Sequence, residues 1–217
     1  MKHKGNDQGS MEGKMRKLPV GLQVYSIREE AEQDFIKAMR EVKEMGYDGV
    51  ELAGIYGHQP EEIRYWLDNI GLVPISAHVP YSELRDNLEK TVAIYATIGC
   101  KYIAIPYLIE EERYGTKAYE DFLEFIPNIA KECEKHGIIL LYHNHDFEFL
   151  KTEENEYILD DLFQRFPPNV LQAEIDTCWV KASNVDPIKY VQQYKDRCPV
   201  VHLKDFTGEL PVEFTPI

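Results

Sequence analysis

Four times along the chain, an amphipathic stretch stops at a glycine and a short β-rich run begins a few residues later. The stops are Val42–Gly46, Leu67–Gly71, Ala96–Gly99 and Cys133–Gly137; the runs that follow are Gly49–Leu52, Pro74–His78, Tyr102–Pro106 and Ile138–Tyr142. A glycine just past a helix supplies the left-handed backbone that turns the chain into a strand. The runs are apolar nearly throughout, as strands are when helices cover one face and a core fills the other. Val20–Ser26 before them, and Val170–Asp176 and Val200–Asp205 after them, bring the count to seven. The intervening stretches carry apolar residues at helical spacing, as at Phe35, Ala38, Met39 and Val42.

Strand–helix alternation at this spacing means parallel βαβ units, closed either as an open doubly wound sheet or as a barrel. No GxGxxG or GxxxxGK follows any run, so nothing favours the nucleotide-binding open sheets. Polar residues gather instead where the runs end, which is where a barrel builds its site. The expectation is an α/β fold, a (β/α)8 TIM barrel over residues 18–217 that is truncated after strand 7. Only residues 206–217 follow Asp205, too few for the missing helix and strand. Residues 1–17 are expected to be a flexible leader.

Charge narrows the partners. Thirty-eight acidic against 24 basic residues give a formal −14, which repels a phosphate backbone or an anionic membrane unless cations cluster, and none do. The basic N-terminus is not followed by an apolar signal-peptide core, and no apolar run is long enough to span a bilayer. Cys100, Cys133, Cys178 and Cys198 form no CxxC pair and read as reduced thiols, so the expected compartment is the cytoplasm.

The polar residues at the run ends are Gln23 and Tyr25, Glu51, His78, Tyr107, His143 and His145, Asp176, and His202 with Lys204. Each has an ordinary reading by itself. A lone strand-end histidine is commonly hydrogen-bonded structure, Asp176 is placed to cap the segment after it, Glu51 to sit on a solvated rim, and Trp179 to pack in a core. Their recurrence at the same end of successive strands points to one shared site. His143, Asp176 and His202 are ligand types for a divalent ion of the Mn, Zn, Co, Mg or Fe class. Such ligands meet only if the sheet curls, so the metal and barrel readings support one another.

At these residues the sequence resembles the sugar phosphate isomerase/epimerase family, the xylose isomerase-like TIM barrels. The matching pieces are Gly49–Leu52, Ala77–Tyr81, Tyr142–Phe149, Glu174–Val180 and Val201–Phe206. The resemblance implies a metal held by Glu, Asp, His and Glu on strands five to eight. Asp176 and His202 match the second and third ligands, His143 stands where the first Glu is usual, and the fourth falls beyond Ile217. The activity implied is isomerisation or epimerisation of a sugar or keto-sugar, a small-molecule substrate, through the enediolate left when an α-carbon loses its proton. Candidate proton-moving or charge-holding residues are Glu51, His145, Glu148 and Lys204; candidate substrate contacts are Gln23, Tyr25, His78, Tyr107 and Trp179. A keto-sugar lyase or dehydratase on the same site and a non-catalytic sugar-binding barrel are the alternatives. The endonuclease branch of these barrels needs a cationic surface that this chain lacks. A homodimer is left open as the assembly.

Overall fold

The helix stops become left-handed turns in the computed structural model, which describes residues 18–208 and 212–215; the leader expected over 1–17 lies outside the described residues. Gly99 shows the device: at φ 94° it ends one helix, and its N–H returns to the carbonyls of Tyr95 and Ala96.

The order runs β1 (Gly21–Gln23), a 3-10 turn (Val24–Ile27), α1 (Arg28–Gln33), α2 (Phe35–Glu44), β2 (Gly49–Leu52), α3 (Pro60–Ile70), β3 (Val73–His78) and α4 (Tyr81–Ile98). It continues through β4 (Tyr102–Ile105), α5 (Lys117–Lys135), β5 (Ile139–His143), α6 (Ile158–Arg165), β6 (Gln172–Asp176), α7 (Thr177–Ala182), α8 (Pro187–Gln193) and β7 (Val200–His202). Strands β1 to β7 pair in sequential order, every pair parallel. This is the curl expected of a (β/α)8 barrel, with β1 and β7 as the two edges and no closing strand among the described residues. An antiparallel pair, β8 (Asp205–Phe206) with β9 (Phe214–Thr215), follows β7. No described helix is long and apolar enough to cross a membrane.

Two apolar layers form because side chains alternate across each strand. Outside the sheet, Val50, Leu52, Ile103 and Ile105 pack against Phe35 and Met39 of α2, Ile63 and Leu67 of α3, and Phe122 and Ile126 of α5. Inside the curl, Tyr102, Ala104 and Leu141 form a separate cluster with Ile75, Ile139 and Val200. That plug fills the bottom of the interior, so the polar residues sit on an apolar floor. Between β2 and β3 the register slips, Val50 pairing Pro74 but Glu51 pairing Ser76, so Ile75 is the extra residue of a bulge. Bulges re-aim side chains beside functional sites. Here Ile75 joins the floor while the next residues, Ser76 and His78, reach the polar layer above it.

Candidate metal centre

Above the floor, strands β1, β2, β3, β5, β6 and β7 each contribute a polar side chain to one cluster. Register sets the depth: His143 on β5 lies level with Glu174 on β6, and Asp176 lies level with His202 on β7. Glu174 Oε1 is the hub. It lies 2.6 Å from His78 Nε2, 3.0 Å from His143 Nδ1 and 3.3 Å from His202 Nε2. One ligand atom from each of His78, His143, Glu174 and His202 falls within 4.8 Å of the others. The rings of His143 and His202 are 4.7 Å apart between centroids, and those of His78 and His202 stack at 5.3 Å.

The donor chemistry fits a divalent cation. Three imidazoles and a carboxylate are borderline ligands of the kind that take Zn, Mn, Fe or Co. Glu174 is fully buried, and its Oε2 has no hydrogen-bond partner among the described residues. A buried, unpaired carboxylate oxygen beside three imidazoles costs free energy that a cation would remove.

Electrostatics pull the members of this cluster in opposite directions. Burial raises the pKa of Glu174, and the neighbouring Glu51 carboxylate raises it further. Burial opposes charge on His78, yet Glu51 and Glu174 outweigh it and lift its pKa to about 10. His202 is likewise raised, burial being overcome by Glu174 and Glu51. His143 goes the other way: burial, reinforced by His202 and His78, holds it well below the ordinary imidazole value. Glu51, although burial pushes it up, is drawn well below the usual carboxylate range by His78 and His202.

The expected site residues fall into three groups. Gln23, Glu51, His78, His143 and His202 come together. Glu51 receives Gln23 Nε2 at 2.5 Å and the Ser76 hydroxyl, and lies 3.0 and 2.8 Å from the His78 and His202 rings. His78, expected as a sugar contact, is one of the four converging ligand groups. Asp176, expected as a ligand, is not among those four. Its Oδ1 caps α7 by accepting the N–H groups of Cys178 and Trp179, and its Oδ2 is 2.6 Å from Lys204 Nζ and 3.5 Å from His143 Nε2.

The second group lines the mouth. His145 stands beside Tyr107 (5.2 Å between ring centroids), Phe147 (5.8 Å) and Trp179 (5.3 Å). Burial, and then Lys204, depress its pKa to about 3, so its imidazole is neutral. His145 Nδ1 and Trp179 Nε1 are both buried without partners among the described residues.

The third group lies away from the cluster. Tyr25 is exposed under the guanidinium of Arg28. Glu148 is buried on the helix side of β5, accepting the Tyr142 hydroxyl at 2.8 Å and the His145 N–H at 2.8 Å. Tyr142 alternates with His143 along β5 and faces the ring of Phe122 on α5, so a carboxylate bound to it is behind the wall of the site.

Glu174 is the candidate-site residue that sequence reasoning missed. The signal was present: Glu174 precedes Asp176 by two, so both face the same side of β6.

Comparison with known proteins agrees with this fold. A family-level sequence model described as "Xylose isomerase-like TIM barrel" matches residues 39–213. The inosose dehydratase of Geobacillus kaustophilus is 25% identical over 192 residues, covering 78% of this chain and 61% of that protein. The inosose dehydratase of Clostridium tetani is 23% identical over 200 residues, covering 83% and 66%. The chain thus spans less than two thirds of the length of these relatives. A solved sugar phosphate isomerase/epimerase from Parabacteroides distasonis superposes with a TM-score of 0.72 at 25% identity, over 91% of this chain and 83% of that one.

Proposed function

Because the chain belongs to the family of xylose isomerase-like TIM barrels, we propose that it acts on a keto-sugar or a related cyclic polyol ketone by moving the proton beside the ketone. The observation that carries this reading is the convergence of His78, His143, Glu174 and His202 on one point above an apolar floor. A divalent ion held by those four residues would supply Lewis acidity to the ketone oxygen and so lower the energy of the enediolate.

The protein's own groups have separable tasks. Glu51 is locked by Gln23 and Ser76 and orients the His78 and His202 rings. His145 presents a neutral Nδ1, unpartnered among the described residues, at the mouth, suited to hydrogen-bond a substrate hydroxyl. The Trp179 indole N–H is an unpartnered donor beside it, and the faces of Tyr107 and Trp179 suit the apolar side of a sugar ring. Lys204, held on Asp176, brings a cation to the same mouth and suits a developing oxyanion or a departing hydroxyl.

Two fates follow proton removal. Return of the proton to carbon isomerises or epimerises the substrate; loss of a β-hydroxyl dehydrates it. The similarity to proteins named inosose dehydratase favours the second fate. The test is proton NMR in D2O of chelated and Mn-, Co- or Zn-loaded protein with inosose. Metal-dependent exchange of the α-proton supports the reading. Loss of water then marks a dehydratase, and exchange with a new stereoisomer or ketose marks an isomerase or epimerase. Failure of every metal to promote exchange, with no divalent ion retained, rejects it in favour of a non-catalytic barrel.

A further inference from the structure

Behind β5, on the side opposite the imidazole cluster, lies a cavity of about 260 Å³ that the proposed chemistry does not use. Its walls are largely apolar, built from Leu108, Phe147, Leu150, Ile158 and Leu162. An apolar cavity of about 150 Å³ is enough to hold benzene, so this one has room for a substituted ring.

Polar side chains interrupt the apolar lining: Glu110, which is exposed, and Arg113, Tyr114, Tyr119, Tyr142 and Glu148. Tyr119 on α5 is buried, and its hydroxyl has no partner among the described residues. Glu148 is buried, and each of its oxygens receives a donor, from Tyr142 and from His145. Arg113 is the cation of the wall, and its bonded partners are neutral: the Leu108 carbonyl, the Tyr107 hydroxyl and the face of Phe147 at 3.8 Å. Those contacts occupy two of the five guanidinium N–H groups. Among the described residues no carboxylate stands within ion-pair distance of Arg113, and the Tyr119 hydroxyl on the same cavity is an unused donor, so the cavity presents two sets of free donors to an anionic guest.

We propose that this cavity is a second ligand site, for a small carboxylate with an aromatic or branched apolar body. The carboxylate takes the Tyr119 hydroxyl and the free N–H groups of Arg113, and the apolar body lies among the leucines and Phe147. Glu148 joins the two sites, because one oxygen faces this chamber's Tyr142 wall while the other holds the backbone N–H of His145 at the mouth. An occupant is therefore placed to act on the mouth without entering it.

The experiment is isothermal titration of benzoate into chelated protein, with benzyl alcohol as the neutral probe of the same shape. Four proteins are compared: wild type, Tyr119→Phe, Arg113→Gln and His202→Ala, each checked for folding by its thermal melt. The expected result is saturable 1:1 benzoate binding that exceeds benzyl alcohol binding about tenfold. Tyr119→Phe should weaken it about fivefold, the worth of one hydrogen bond. Arg113→Gln should remove the preference for benzoate, and His202→Ala should bind as wild type does. No saturable binding overturns the proposal. So does benzoate binding that survives in both Tyr119→Phe and Arg113→Gln, or that is lost in His202→Ala, since benzoate would then be sitting on the imidazoles. Working without metal keeps this outcome independent of whether the keto-sugar chemistry is right.

Discussion

Replacing Glu148 by Gln should flatten part of the pH dependence of stability, and the size of the effect follows from where the carboxyl is held. Burial drives the Glu148 pKa from 4.5 up to about 7, even though the Tyr142 hydroxyl and the His145 N–H favour the ionised form. The sign is that of a raised acid. Between those two values the folded chain keeps a proton that the unfolded chain has released, so stability is present in acid and lost as the pH rises. With those two values, linkage gives a loss of about 2.5 kcal/mol between pH 5 and pH 8 from this one group. Glu148→Gln removes the titration and costs a roughly constant 1 kcal/mol or somewhat more, because one amide oxygen cannot serve both donors. The assay is urea unfolding at several pH values, followed by the fluorescence of Trp66 and Trp179. Wild type should be the more stable protein at pH 5, and its advantage should shrink or reverse by pH 8. Parallel curves, with a gap constant to within about 0.5 kcal/mol, would refute the burial argument.

Two further outcomes follow from the geometry. His202→Ala and Glu174→Gln should each weaken divalent-metal binding, measured by titration against a chromophoric chelator, by more than the roughly 10–100-fold that outer-shell partners cost; undiminished occupancy in both would sink the four-residue centre. Gly49→Ala should destabilise more than Gly46→Ala, because a Cβ on Gly49 would collide with the Val73 carbonyl and the Ile75 side chain, whereas Gly46 at φ 95° has open space around it. Gly46→Ala should cost about 1–2 kcal/mol, and the reverse ranking in denaturant melts would contradict the β2–β3 packing.

Much of this fold was legible because parallel βαβ units repeat a coarse signal: helical spacing, a glycine stop, then an apolar run. Seven runs were visible, and seven strands pair in that order. The shared site was legible for a related reason, since strand ends of a curled sheet must meet. Depth was not legible. Glu174 and Asp176 share a face of β6, and only the register, which sets Glu174 beside His143 and Asp176 beside His202, tells which oxygen reaches the imidazoles. Glu148 shows a second gap. Beyond His143 the strand pattern ends and a 3-10 turn carries the chain over Phe147–Phe149, so period-two reasoning could not show that its carboxylate turns back toward Tyr142. Ser76 was invisible as a partner of Glu51 because the bulge that aims it depends on pairing between β2 and β3.

Asn144, immediately after β5, is fully buried and clasps the next strand with both ends of its amide. Its Oδ1 accepts the Asp176 N–H at 2.9 Å, and its Nδ2 donates to the Asp176 carbonyl at 3.3 Å. In effect a side chain adds one more rung where the backbone ladder has run out. That rung needs a donor and an acceptor on the same small plane, which only an amide provides at this length. Aspartate, nearly identical in outline, would set a carboxylate against a carbonyl oxygen in a dry interior. The spacing between the β5 histidine and the β6 carboxylates therefore hangs on a residue that carries no charge and touches no ligand group.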